Sequence, residues 1–267
     1  MSHLRCPSCH ATLTQMEKFF SCPNRHSFDI ARQGYVNLLL GNGKQHGDNA
    51  LMIGARSRFL AGGYYAPLSN ALREAAALYL SKDATILDVG CGEGYYTAAL
   101  REAIGKDGRI YAFDISKDAL KATAARRLGA TLFVASAYDV PVEDESMDGV
   151  CLFFSPYARE EILRVLKKGG KLFMAIPDVR HLFGLKQALY DTPYLNRPES
   201  TEIEGLRLLS DVSIADEITL PDPQTILDLF SMTPYYYKTS PKDKEKLASL
   251  SSLKTEIGFR LLVYEKI

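Results

Sequence analysis

ATILDVGCGEGYYTAAL, residues 84–100, passes from a block of apolar and β-branched residues through a glycine-rich turn into a helical pattern. The apolar block predicts a buried strand, and the apolar spacing after residue 94 predicts a helix. Glycines at 90, 92 and 94 let the backbone turn sharply and approach a ligand closely. A strand, a tight glycine turn and a helix in this order indicate a ligand site at the carboxyl end of a parallel sheet.

The chain continues to alternate between strand and helix patterns after this turn. Beyond the strand at 84–90, the predicted strands are 108–116, 130–137, 147–156 and 171–177, and the predicted helices are 95–105, 116–129 and 158–170. Ser116 is the predicted N-cap of the second of these helices. A last alternating stretch, 255–266, is expected to run antiparallel to its neighbours. This order predicts an α/β fold with a Rossmann-like, mostly parallel sheet and helices on both faces.

The flanking regions give a coarser picture. Residues 51–80 show helical spacing broken at Gly62 and Gly63, which predicts two helices. The acidic, proline-containing segment 191–208 is predicted to be an insert over the active site. Residues 206–222 are predicted to form a strand with a turn, and residues 235–237 a half-buried strand. Helices are predicted at 221–232 and 240–253.

The glycine turn also indicates the type of ligand. A nicotinamide fingerprint requires G-x-G-x-x-G, but Tyr95 stands where the third glycine would be. The pattern Asp88-x-Gly90-x-Gly92-x-Gly94 instead fits S-adenosylmethionine (AdoMet), because Asp88 can meet the cationic amino group of its methionine part. Asp114, at the end of the next strand, can accept both ribose hydroxyls, although nicotinamide sites share this feature. We therefore predict an AdoMet site on a class I methyltransferase sheet.

The N-terminal residues carry a second motif, Cys6-x2-Cys9-x12-Cys22-x3-His26. Two close pairs of soft or borderline ligands can surround zinc as a tetrahedron, and four protein ligands make such a site structural. A thioredoxin-like redox pair is the main alternative, but no βαβ pattern surrounds these cysteines. His10 follows Cys9 directly and is predicted to face solvent.

Charge and composition constrain the partner. The 267 residues have a net charge of zero, yet residues 1–60 contain seven Lys/Arg and three Asp/Glu, a balance of +4 that the remaining residues offset. This asymmetry favours a polyanion-facing module. An odd number of cysteines (five) without an apolar leader indicates a reducing cytoplasm, and no apolar run is long enough to span a membrane.

We predict three parts of the chain: a zinc-binding, RNA-recognition module at 1–40, a linker with a helix at 41–65, and an AdoMet-dependent methyltransferase domain at 66–267. The linker contains a flexible connection near residues 41–50, where GNGK and HGDN are typical of loops.

The chain resembles the bacterial 23S rRNA (guanine-N1)-methyltransferases nearly from end to end. The resemblance lies in HSFDIARQGYVNLL, GDNA…ARSRFLAGGYYAPL, LDVGCGEGYYT, SMDGV, IPDVRHLFGLK and MTPYYYK. It implies an AdoMet-dependent enzyme that methylates N1 of one guanine in a hairpin loop of 23S rRNA, and it implies a homodimer. It also implies zinc ligation by Cys6, Cys9, Cys22 and His26, and cofactor contacts from Tyr65, Gly92, Glu93 and His181.

Methylation at guanine N1 requires a proton acceptor, because the neutral base carries a proton on N1. Asp178, His181 and Tyr157 follow predicted strand ends and are candidates, with Asp178 and Tyr157 taken as the catalytic residues. Tyr157 and the tyrosines at 235–237 can alternatively stack on an unpaired base. Two other functions remain open from the sequence: methylation of a small metabolite such as a quinone precursor, and RNA binding without catalysis.

Overall fold

The computed structural model describes residues 2–41, 47–198 and 200–267. The described strands are β1 (Thr14–Gln15), β2 (Phe19–Ser21), β3 (Ser27–Asp29), β4 (Tyr35–Asn37), β5 (Thr85–Val89), β6 (Arg109–Asp114), β7 (Thr131–Val134), β8 (Met147–Phe153), β9 (Leu166–Pro177), β10 (Leu206–Leu220) and β11 (Leu253–Lys266). The described helices are α1 (Ala50–Ala61), α2 (Ala66–Tyr79), α3 (Tyr95–Ile104), α4 (Lys117–Ala125), α5 (Arg159–Val165), α6 (Phe183–Leu189), α7 (Pro223–Ser231), α8 (Tyr235–Lys238) and α9 (Pro241–Ala248).

The central sheet has the strand order β10-β11-β9-β8-β5-β6-β7-β4. Strands β4 to β9 of this sheet pair in parallel, and β11 lies antiparallel between β9 and β10. Strand β5 is buried along its whole length, as its run of apolar residues predicts. The predicted α/β fold is therefore confirmed, including the antiparallel final strand. No helix in the described ranges is long and apolar enough to cross a membrane.

The N-terminal module is joined to this sheet. Strands β1 to β3 form a small separate sheet, but β4 pairs in parallel with β7 at the edge of the large one. Leu4 forms an isolated bridge with Val142, and the buried Leu4 and Leu13 belong to the same apolar cluster as Phe133. Burial of this shared apolar surface holds the module on the sheet edge. The boundaries predicted at 40 and 65 stay predictions.

Local signals place the helices that surround the site. Asn49 caps α1 because its Oδ1 accepts hydrogen bonds from the amides of Leu51 and Met52, at 3.0 and 3.1 Å. The predicted cap of α4, Ser116, accepts from the amide of Ala119 at 3.2 Å. The predicted break between α1 and α2 is present, with Gly63 at φ +80°. Residues 42–46 of the predicted connection lie outside the described residues.

Three local predictions are wrong. Helix α5 ends at Val165 and strand β9 begins at Leu166, because Met147 of β8 already pairs with Leu166. Residues 206–220 form one strand without a turn, since β10 pairs with β11 along its length with only a bulge near Leu208. The tyrosines at 235–237 form a short helix rather than a strand, and Pro234 before them has a helical φ of −60°.

Candidate cofactor site, adjoining cavity and zinc centre

The glycine turn after β5 has the conformation that a close ligand requires. Gly90, Gly92 and Gly94 have φ angles of +68°, +56° and +84°, which side chains rarely adopt. A Cβ atom on Gly90 would lie 2.5 Å from Cβ of Ser155, in the turn after β8. The Ser155 hydroxyl donates to the carbonyl of Val89 at 2.7 Å. The glycine turn and the turn after β8 therefore pack directly against each other.

Two predicted cofactor carboxylates lie at neighbouring strand ends. Asp88 is 2% exposed and accepts a hydrogen bond from Thr97 Oγ1 at 2.6 Å. Burial, reinforced by the nearby Asp114, raises the pKa of Asp88 to about 7. Asp114 accepts from the amides of Gly92 and Ser116, at 3.0 and 2.8 Å, and burial raises its pKa. Asp114 thus ties the glycine turn to the end of β6.

Glu93 makes a different contact from the one that the resemblance implies. Its side chain is 2% exposed, and Oε2 accepts from the guanidinium of Arg126, with Nε at 2.9 Å. The Arg126 Nε also donates to the Glu93 carbonyl at 2.7 Å. Oε1 has no hydrogen-bond partner among the described residues. The carboxylate therefore anchors the glycine turn to the end of α4, and a cofactor contact by Glu93 stays a prediction.

A cavity of about 500 Å³ adjoins the turn after β8. Its wall comes from α1 and the segment before it, from the start of α2, from the ends of β8 and β9, and from residues around α6 and α8. The lining residues are Asp48, Met52, Arg56, Tyr65, Phe154, Pro177, His181, Leu182, Asn196, Met232, Thr233, Pro234, Tyr235 and Tyr237. Of the residues predicted from sequence, Tyr65, His181, Tyr235 and Tyr237 contribute to this lining, whereas Asp178 and Tyr157 do not. The catalytic roles of Asp178 and Tyr157 and the cofactor contacts of Tyr65 and His181 remain predictions.

Tyr65 and His181 meet on one wall of the cavity. Tyr65 is 3% exposed, and its ring packs edge-on against Phe259 with centroids 4.8 Å apart. The His181 Nδ1 accepts a hydrogen bond from the amide of Gly258 at 3.2 Å. Burial, with a contribution from Lys186, lowers the pKa of His181 to about 3, so the ring is neutral at pH 7. Its proton therefore resides on Nε2, which makes His181 a hydrogen-bond donor toward a ligand.

Two bulky cavity residues have strained backbones. Phe154 and Leu182 have φ angles of +58° and +57°, a region that costs energy for residues with a side chain. Such strain persists only where the surrounding structure imposes it, and it is concentrated at functional sites. Phe154 follows β8, and Leu182 immediately precedes α6.

Sequence reasoning did not select Asp48, Arg56 or Asn196 as site residues. The Arg56 Nη2 donates to Asp48 Oδ2 at 2.6 Å, and the Nε of Arg56 has no partner among the described residues. Cδ of Arg56 lies 3.8 Å from the position of a Cβ on Gly92. An unpartnered buried donor beside a left-handed glycine turn fits an AdoMet site, with its ribose and carboxylate oxygens as acceptors. The GDNA segment, which leads into α1, was the one sequence feature that could have indicated these residues. Its residue spacing, however, does not predict which part of the fold α1 contacts.

The predicted zinc ligands converge. One ligand atom from each of Cys6, Cys9, Cys22 and His26 lies within 4.8 Å of the other three. Cys9 and Cys22 have sulfurs 3.6 Å apart, and the His26 Nδ1 lies 3.4 Å from the Cys6 sulfur and 3.5 Å from that of Cys22. Tetrahedral zinc with ordinary bond lengths gives ligand separations of about 3.8 Å for two sulfurs and about 3.6 Å for sulfur and nitrogen. These four residues therefore fit a closed, structural zinc site.

The surroundings shift the pKa values of two of the ligands in opposite directions. Hydrogen bonds from the backbone near Ala11 and from the Asn24 side chain lower the pKa of Cys9 to about 6, whereas burial raises the pKa of Cys6. Arg25, between Cys22 and His26, has φ +65°, so the turn between these two ligands includes a left-handed residue. His10 is exposed and lies outside the ligand set, as predicted.

Known proteins resemble both parts of the chain. Residues 4–45 match the zinc-ribbon family described as "RlmA, N-terminal", and residues 86–170 match a family described as "Methyltransferase domain". A crystal structure from Bacillus halodurans C-125, described as a candidate methyltransferase, has 17% identity and a TM-score of 0.50, and the similarity covers 74% of this chain and 98% of that one. This structural similarity supports the fold.

Relatives with similar sequences are more specific. A 23S rRNA (guanine(748)-N(1))-methyltransferase from Streptomyces fradiae is 36% identical over 190 residues, covering 70% of this chain and 68% of its own. A Bacillus subtilis (strain 168) protein named as a candidate 23S rRNA (guanine-N1)-methyltransferase is 32% identical over 92% of this chain and 90% of its own. By contrast, a demethylmenaquinone methyltransferase from Oceanobacillus iheyensis matches only 40% of this chain. The zinc ribbon, the AdoMet-type fold and these long alignments together establish that the chain belongs to the 23S rRNA (guanine-N1)-methyltransferase family.

Proposed function

We propose that this protein transfers the methyl group of AdoMet to N1 of one guanine in a hairpin loop of 23S rRNA. The observation that carries the proposal is the complete Cys3His site joined to a methyltransferase sheet in the same chain. A methyltransferase acting on a small metabolite needs the sheet and a cavity, but it does not need the zinc ribbon. An RNA-binding protein without catalysis gives no use to the three left-handed glycines and the buried Asp88 beside them.

The cavity suits an unpaired base. Enzymes that modify a base inside folded nucleic acid move it out of its stack into a pocket. Tyr65, Phe154 and Tyr235 supply aromatic surface in the lining, and the His181 Nε2 supplies a hydrogen-bond donor. A guanine offers an aromatic face and acceptors at O6 and N7 to such a wall. The cavity adjoins the turn after β8, which packs against the glycine turn, so a base held there faces the cofactor site.

When bound, AdoMet supplies an electrophilic methyl group whose leaving group departs as a neutral thioether. The residues of this chain orient the two reactants, and alignment alone can contribute a large part of the rate. The tight contact of Gly90 with Ser155 keeps the two turns at a constant separation. The neutral His181 can bind the base without competing for its N1 proton.

The zinc module is proposed to hold the RNA around the target. Lys18, Arg25 and Arg32 are its candidates for phosphate contact, and all three are exposed. Arg5, a further basic residue of this module, donates to Asp144 at 3.5 Å and has only 18% of its side chain exposed. We therefore expect Arg5 to contribute less to RNA binding than the other three.

Methylation of total rRNA from a null strain, mapped by reverse transcription, tests this function. N1 methylation blocks Watson–Crick pairing, so one new stop in 23S rRNA is expected. Methyl transfer only into small molecules would instead support the metabolite reading. Single-turnover methylation of an isolated hairpin by Cys6→Ser protein tests the ribbon: unchanged affinity and rate would exclude the ribbon from RNA recognition.

Two further proposals follow from this function. An enzyme acting on ribosomal RNA is expected in the cytoplasm, which fractionation can test. The homodimer implied by the resemblance is tested by light scattering of the purified protein, for which a mass near 59 kDa, about twice the 29.7 kDa chain, is expected.

A further inference from the structure

The reaction proposed for this cavity needs a proton acceptor, and the sequence did not identify one in the cavity. This inference rests on the proposed function, in which the proton on guanine N1 has to leave before or during methyl transfer. Asp178 and Tyr157 lie outside the cavity lining. His181 lies in the lining, but its Nδ1 already accepts from Gly258, so the nitrogen that remains is a donor. None of the three candidates from the sequence is therefore a ready base in this cavity.

Asp48 is the one carboxylate among the described residues of the lining. Its side chain is 28% exposed, and Oδ2 accepts from Arg56 at 2.6 Å. Its backbone is also held, because the carbonyl accepts a hydrogen bond from the Ser116 hydroxyl at 2.6 Å. Arg56 occupies Oδ2, whereas Oδ1 has no hydrogen bond to a described residue.

Asp48 is also connected to the glycine turn through Arg56. Its partner Arg56 passes over the glycine turn, with Cδ 3.8 Å from a Cβ built on Gly92. On the opposite side, Phe154 lines the cavity in the turn that touches Gly90. A base placed between these two sides would have Asp48 and Arg56 on one side and Phe154 on the other, beside the cofactor turn.

The charges around Asp48 suit a proton transfer. Among the described residues, Arg56 from α1 and Asp114 from β6 are charged groups that interact with it, and Tyr65, His181 and Tyr235 are titratable groups in the cavity lining. Loss of the N1 proton puts negative charge on guanine N1 and O6. The guanidinium of Arg56 lies in the same wall and can stabilise that charge.

We propose that Asp48 is the catalytic base of this methyltransferase. The N1–H bond breaks and the proton goes to the Asp48 carboxylate. The electron pair on N1 forms the bond to the methyl carbon, and the electrons of the carbon–sulfur bond stay on sulfur, which leaves as a neutral thioether. Asp48 returns its proton to solvent after the product dissociates.

The test compares Asp48→Asn with the wild-type protein in single-turnover methylation of a hairpin RNA. The rate is expected to fall about 10²- to 10⁴-fold, the usual contribution of a positioned base. AdoMet affinity, measured by calorimetry, and RNA affinity, measured by filter binding, are expected to change less than about twofold. Asp107→Asn, a matched change at an exposed turn residue remote from the site, is the control and is expected to keep the wild-type rate.

Two readouts separate a base from a merely structural residue. The residual rate of Asp48→Asn is expected to rise with pH across the range in which the wild-type rate is constant, because solvent then removes the proton. Replacing the target guanine with 8-azaguanine, whose N1 proton is more acidic, is expected to restore part of the Asp48→Asn rate. If the Asn variant unfolds, Asp48→Ala with added formate replaces it, and rescue by formate is the expected result.

Three results would overturn the assignment: a near wild-type rate in Asp48→Asn, loss of AdoMet affinity equal to the loss of rate, or no rescue by 8-azaguanine or formate. A wild-type protein that methylates no guanine at N1 would instead refute the proposed function, and the two failures are therefore distinguishable.

Discussion

Replacing Gly90 by alanine tests whether the contact between the glycine turn and the turn after β8 determines the cofactor site. Gly90 has φ +68°, so alanine is strained there by about 1–2 kcal/mol. The new Cβ would also lie 2.5 Å from Ser155 Cβ. A Cβ cannot rotate away from its backbone, so the whole turn after β8 has to shift, at a cost of about 1–3 kcal/mol. The total expected loss of unfolding free energy is about 2–5 kcal/mol.

Gly129→Ala is the matched control. Gly129 has φ +65°, and a Cβ there would meet nothing within 4 Å. The Gly129→Ala variant therefore has the backbone strain without the steric overlap. The difference in unfolding free energy between the two variants measures the contribution of the contact with Ser155. Urea unfolding measures both costs, and calorimetry measures AdoMet affinity, which is expected to fall only in Gly90→Ala. Equal unfolding costs and equal AdoMet affinities in the two variants would refute the claim that this contact holds the site together.

Other predictions concern the zinc centre and two buried charges. Chelation of zinc, or Cys22→Ala, is expected to abolish amide protection in β1 to β3 but not in β4 or β5, because the metal links the turns of the small sheet whereas β4 pairs with β7; uniform loss of protection by hydrogen exchange would contradict this. Lys186→Met removes hydrogen bonds to Asn196 Oδ1 at 2.6 Å and to the Tyr194 carbonyl at 3.1 Å. Because Asn196 lines the cavity, kcat is expected to fall several-fold with AdoMet affinity unchanged. An unchanged kcat would show that Lys186 does not position Asn196 for the reaction. The pKa of Asp88 is raised, so the folded state binds the Asp88 proton more tightly than the unfolded state does. The free energy of unfolding is therefore expected to fall by up to about 4 kcal/mol as pH rises from about 4 to about 7. Asp88→Asn should remove that fall, and parallel pH curves for variant and wild type in urea unfolding would contradict the assignment.

Several elements were predictable because their signals are local. Period-two and helical spacing, the Ser116 cap and the break at Gly62 all act over a few residues, and all appear in the structure. The four zinc ligands were predictable as a set, because two close pairs on short turns leave few other arrangements. The start of β9 was not predictable, because pairing with β8 decides whether Leu166 continues a helix or begins a strand.

The cavity could not be derived in the same way. Its lining comes from residues between 48 and 237, and no motif connects these segments along the chain. Asp178 and Tyr157 follow strand ends, and a strand end specifies only the edge of the sheet and not the direction of each side chain, so their catalytic roles stay predictions. The sequence likewise does not specify that the Glu93 carboxylate contacts Arg126.

The sequence by itself determined the order of strands and helices from β5 to β9, the glycine turn after β5 and the metal-binding ribbon. These features depend on backbone preferences and on ligand spacing over short distances. Only the tertiary structure decided that β4 extends the main sheet and that Asp48 and Arg56 meet the turn after β8 across one cavity. The physical reason is that these contacts depend on how helices pack on a twisted sheet, a result of the whole core rather than of any single segment.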